Sequence, residues 1–101
     1  DLSLLIAINT NFFESILLNA HFYKANLRQS NFKNADLTNT DFSNSDMSYV
    51  DFTGANMINT SLFGEDLRYA NLRYAKLLEV NLDKAIFCET RLPWGVRNDN
   101  C

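Results

Sequence analysis

From Thr10 to Leu92 a large apolar residue recurs at every fifth position, seventeen times without insertion or deletion, from Phe12, Leu17, Phe22 and Leu27 to Leu82, Phe87 and Leu92. Two places before each centre stands a small or β-branched residue, as in Thr10, Ser15, Ala20, Ala25 and Ser30, and Glu65 alone breaks that column. The place just before the centre is Asn or Asp in most units, Asn26, Asn31, Asp36, Asp41, Asp46 and Asp51 among them. Repetition at a fixed period is the property any fold for this chain must satisfy.

The period excludes a helix. Five residues turn an α-helix through roughly 500°, so successive centres drift by about 140° and spiral around the axis instead of forming a stripe. On a strand the small residue and the centre two places later share a face. The next small residue lies three places beyond the centre and would point the other way, so the chain must turn once per unit. A short extended piece and a turn, repeated with small and large residues inward, wind into a solenoid filled by side chains. Four turns per coil give a twenty-residue coil, with coils stacked about 4.8 Å apart.

Ala25-Asn26-Leu27, Ala35-Asp36-Leu37 and Ala70-Asn71-Leu72 match the pattern A(D/N)Lxx, and on these residues the chain resembles the pentapeptide-repeat family. The resemblance covers about four-fifths of the sequence. It implies an all-β fold, a right-handed quadrilateral β-helix of about four to five coils, with the centre and the small residue pointing inward. Departures from the pattern are Ile16 and Ile86 in place of Asn/Asp, positive charge there at Lys76 and Arg91, and Glu65 at a small inward site. Glu65 is expected to open its coil locally, with Gly64 supplying the backbone freedom.

Length fits one domain, divided by the frame into residues 1–9 as an N-terminal cap or degenerate first coil, 10–92 as the solenoid, and 93–101 as a C-terminal cap. Pro93 removes a ladder donor at the end of the frame, and Trp94-Gly95 is expected to fold back over the last coil. The chain begins at Asp1, which suggests a mature or excised segment of something longer. The net charge of −3 argues against general nucleic-acid affinity, because no basic stripe is available to neutralise phosphates. No apolar run is long enough to span a membrane.

Cys88 follows a centre and should point outward, free to meet Cys101 in a returning tail; two unrelated thiols in a reducing cytosol are the alternative. A bond between them fits an oxidising compartment, so an extracytoplasmic or secreted location is favoured. Asn59-Thr60-Ser61 is a sequon at an outward site and a possible glycosylation point.

Stacking at twenty-residue intervals turns the sequence into faces, and any function lies on them. Tyr49, Arg68, Tyr69, Arg73 and Tyr74 cluster around one corner, a combination enriched at binding hot spots; a cross-strand ladder that only stabilises the fold is the plainer reading. The column Leu18, Thr38, Ile58, Leu78 is apolar enough to serve as a self-association surface.

Some proteins of the resembled family mimic duplex DNA against gyrase-type enzymes. Here Asp36, Asp41, Asp46 and Asp51 ring one coil instead of lining a rod, and only Asp46 and Asp66 stack. The sole histidine, His21, occupies an Asn/Asp position, and no His/Cys grouping has metal spacing. The expectation is therefore a non-catalytic scaffold or protein-binding module, with a self-associating structural subunit as the alternative and a DNA mimic behind both. No cofactor, small-molecule substrate, direct nucleic-acid contact or membrane span is expected.

Overall fold

A computed structural model describes residues 1–101. Parallel bridges link each Asn/Asp position to its equivalent twenty residues on, from Ile6↔Asn26 and Asn11↔Asn31 to Asp66↔Ile86 and Asn71↔Arg91. The coil is therefore twenty residues, four units to the turn, in a rod 31 × 23 × 22 Å. Residues 2–9 run in the same frame and form the start of the first coil, with Leu2 donating to the His21 carbonyl and Ala7 to that of Asn26.

One unit shows why the repeat has its composition. In Asn31-Phe32-Lys33-Asn34-Ala35, Asn31 donates back one coil to Thr10, and Phe32 and Asn34 donate forward to Asp51 and Thr53, at 2.8–3.0 Å. Ala35 closes a turn onto the Phe32 carbonyl at 3.1 Å. That leaves the Lys33 amide, and the Asn31 side-chain oxygen accepts it at 2.9 Å. All five donors are satisfied, as a buried backbone requires. Asp36, Asp41, Asp46, Asp51 and Asp66 each cap the amide two residues ahead in the same way, so the acidic ring is structural. Arg91 has no side-chain acceptor, and the residue it would cap is Pro93, which has no amide hydrogen.

The turn carries its own requirement. Every fifth residue from Leu4 to Glu89 has φ between about +47° and +70°, while the residue before it does not. Positive φ at the second central residue alone defines a type II turn, in which Asn and Gly are the least strained residues. Asn9, Asn19, Asn34, Asn39, Asn44 and Asn59 answer that demand, as do Gly54 and Gly64. A Cβ on either glycine would also fall on the side-chain oxygen of the asparagine one coil below, Asn34 or Asn44.

Inside, Phe12, Phe32 and Phe52 stack at 4.6 and 5.4 Å, Phe22 and Phe42 stack at 5.0 Å on the opposite wall, and the two ladders meet edge to face. Leucines and methionines occupy the other two walls, apart from Phe87 at the end of one of them. Inward hydroxyls of Ser45, Thr60 and Thr90 donate to carbonyls of the preceding coil at 2.6–2.7 Å.

Glu65 corrects an expectation. Its coil stays closed: Asp66 pairs in register with Asp46 and Ile86, and the Glu65 amide makes the ordinary turn bond to Leu62. The side chain is fully buried, and neither carboxylate oxygen has a partner. The phenylalanine ladders stop one coil earlier, and Leu62, Leu67 and Leu72 line this coil, so the longer side chain fits where the bore has lost ring volume.

A second correction concerns the C-terminal end. Two strands, β1 (Thr90–Leu92) and β2 (Gly95–Arg97), form an antiparallel hairpin, and Trp94 at its tip is 66% exposed, covering no coil. The tail beyond β2 holds the end instead. Asn100 exchanges two hydrogen bonds with the Phe87 backbone, Arg97 lies 4.0 Å over the Phe87 ring, and Cys101 is bonded to Cys88. Cys88 is buried under this tail. The bond closes a loop between residues separated by 13. Reduction, or Cys101→Ser, is expected to lower the unfolding free energy by about 3 kcal/mol in the loop-entropy model; a urea midpoint unchanged by reductant would refute that contribution.

Candidate functional site

The twenty-residue stack brings Tyr49 and Tyr69 into one column. Their rings lie parallel, 4.8 Å apart and tilted by 14°, and both are about half exposed. Both occupy the left-handed turn position, with φ of 62° and 63°, where an aromatic residue is more strained than Asn or Gly. The pair borders a hollow of about 200 Å³ shared with Arg28, Asp46, Ser48 and Arg68.

The charges around this hollow are held differently. Arg68 donates three side-chain hydrogen bonds to Asp66, at 2.7–3.2 Å. Partial burial pushes the Asp66 carboxyl up, but the bonds from Arg68 and the positive charges of Arg68 and Arg28 prevail and hold it below the usual carboxylate range. Arg28 forms no ion pair; its guanidinium lies 5.9 Å from the Tyr49 ring centroid. Asp46 is committed to Ser48, whose amide and hydroxyl both donate to it. The Tyr69 hydroxyl lies 3.8 Å from Cys88 Sγ, so this face abuts the disulfide.

The model of pentapeptide repeats matches residues 8–44, 25–62 and 66–94, in eight copies. The chain belongs to the pentapeptide repeat family. As in that family, the quadrilateral β-helix is right-handed. Among solved structures, this pentapeptide repeat chain superposes on HetL, a protein involved in heterocyst differentiation regulation from the cyanobacterium Nostoc, with a TM-score of 0.86 and 24% identity over 89% of its length. A pentapeptide repeat protein of the Arabidopsis thaliana thylakoid lumen matches with a TM-score of 0.83 and 32% identity over 91% of the chain. Rfr23 from Cyanothece matches at 0.57 and 20% identity over 81%. The chain spans 41% of HetL and 68% of the Arabidopsis protein. No curated protein sequence matches it significantly.

In this pentapeptide repeat solenoid the five residues singled out at the Tyr/Arg corner fall into two groups. Tyr49, Arg68 and Tyr69 share the hollow just described, while Arg73 and Tyr74 turn the corner and line a second hollow with the C-terminal hairpin. Arg28 and Ser48 complete the first hollow together with Asp46, which the sequence shows only as part of an acidic ring although it stands one coil below Asp66. Leu18 and Leu78 are about half exposed, and Ile58 between them is partly covered. Asn59 is exposed, but its side-chain amide donates to Asn39 at 2.7 Å.

Proposed function

We propose that this pentapeptide repeat chain is a non-catalytic protein-binding scaffold whose Tyr49–Tyr69 face docks a protein partner. The observation that carries the reading is the stacked, half-exposed tyrosine pair between Arg28 and Arg68. Tyrosine and arginine dominate binding energy at protein interfaces because they combine large area with few rotors and fixed hydrogen-bond geometry. The disulfide favours an oxidising compartment, a reading in keeping with the thylakoid-lumen location of the 32% identical Arabidopsis protein.

The test exploits the turn. Tyr49→Asn with Tyr69→Asn places the residue best suited to positive φ at both sites, so the β-helix is expected to form with unchanged circular dichroism. Capture of the partner from an extract of the source cells is expected to fall at least tenfold, since hot-spot truncations typically cost about 2 kcal/mol or more. Equal capture by the folded double variant would remove this face as the docking surface.

A further inference from the structure

The second hollow has a different chemistry. It measures about 340 Å³ and lies between the corner residues Arg73 and Tyr74 and the hairpin residues Arg91, Trp94 and Val96. Its lining holds two arginines and no carboxylate, on a chain whose net charge is −3. Neither arginine is in an ion pair, whereas Lys33, Arg68 and Arg97 are paired with Asp51, Asp66 and Asp99. Tyr74 is 83% exposed and Trp94 66%. Two free guanidinium groups beside two exposed aromatic rings select an anionic group attached to something apolar or flat.

The backbone says what carries that group. The Arg91 amide donates to Ala70 and its carbonyl accepts from Leu72, so both polar groups of Arg91 face the coil beneath. The hairpin must then be joined through Thr90↔Arg97 and Leu92↔Gly95, the pairs on either side of Arg91↔Val96. Hydrogen-bonded pairs alternate with non-bonded ones along an antiparallel ladder, so the amide and carbonyl of Val96 point away from β1. Strand β2 is thus an unpaired edge beside the hollow. An extended peptide adds to such an edge through main-chain bonds, with its side chains supplying specificity. Val96 and Arg91 are directly opposite and share one face. A glutamate on that face of an added strand reaches over Val96 toward the two arginines, and an apolar side chain two residues along, on the same face, meets Trp94 and Tyr74.

We propose that this hollow and the β2 edge form a docking site for an extended acidic segment of a partner protein, distinct from the Tyr49–Tyr69 face and independent of it. Trp94 is the sole tryptophan of the chain and sits in the hollow, so its fluorescence reports occupancy directly. The probe is a blocked pentapeptide, acetyl-Glu-Thr-Phe-Thr-Glu-amide, which places both Glu and the Phe on one face of a strand, titrated into the whole chain, with the peptide carrying Gln for every Glu as control. The expected result is a saturable change in Trp94 emission with the acidic peptide, at least tenfold weaker with the Gln peptide and weakened by salt. Arg73→Gln and Arg91→Gln are each expected to lower the affinity about tenfold. Tyr74→Asn, which suits the positive φ at that turn (61°), keeps the fold and is expected to weaken binding about fivefold. No saturable response, equal binding of the Gln peptide, or affinity unmoved in the folded arginine variants would overturn the proposal. So would saturation of the response by inorganic phosphate or a nucleotide with none from the peptide, which would make the hollow a small-anion site.

Discussion

Phe32→Ala is expected to lower the unfolding free energy by about 3–5 kcal/mol, a large share of the stability of a domain this size. Phe32 is fully buried and touches aromatic rings on every side: Phe12 and Phe52 stack above and below it at 4.6 and 5.4 Å, and Phe22 and Phe42 meet it edge to face. Its walls are backbone coils fixed by hydrogen bonds at the strand spacing, so they cannot collapse into the space left behind. A solenoid is also held together coil by coil, and a gap in the middle uncouples its two ends. Phe12 is the control, since it sits in the first coil and is only partly buried; Phe12→Ala is expected to cost less than half as much. Urea denaturation of both variants checks the pair, and equal losses would mean that position in the ladder does not matter.

Glu65→Met is expected to stabilise the protein by about 1–3 kcal/mol at neutral pH, the usual cost of a buried polar group without a partner. Burial is the main reason that the Glu65 carboxyl lies well above the usual carboxylate range, and the negative charges of Asp66, Asp46 and Asp41 push it further. The folded state therefore keeps this proton at a pH where the unfolded chain, with an ordinary value near 4.5, releases it. Stability from that difference is fully present below pH 4.5 and is lost as the pH rises toward the folded value, by at most about 1.4 kcal/mol per unit. Asp66 acts in the opposite sense, since its value is lowered, but it is common to both proteins. The difference between wild type and Glu65→Met isolates the buried acid: the advantage of the variant is expected to grow from pH 4.5 to pH 8. A constant difference across that range would mean that Glu65 ionises freely in the fold.

Much of the architecture was legible because a β-helix converts period into geometry. The fifth-residue centres had to face inward, the twenty-residue coil placed Tyr49 against Tyr69, and the sequence position of Cys88 brought it to the returning tail. One turn per unit was legible, but its type was not: the asparagines at 9, 19, 34, 39, 44 and 59 and the glycines at 54 and 64 mark the positive-φ position only weakly, because Lys24, Gln29, Glu79 and the tyrosines stand at the same place.

What escaped the sequence depends on volume and on the ends. Glu65 looked like a defect that must open a coil, because the pattern records one column at a time; the room it occupies comes from the loss of phenylalanine rings on other walls of the bore. Trp94 looked like a lid, yet the end is held by Asn100, Arg97 and the disulfide, contacts that no repeat can foretell because the repeat stops there. The period alone determined which residues face inward and which stack, since hydrogen bonding from coil to coil leaves the backbone no other register. Only the tertiary structure decided that the Tyr/Arg corner is divided between two hollows, because the C-terminal hairpin lies beyond the repeat and lines the second of them.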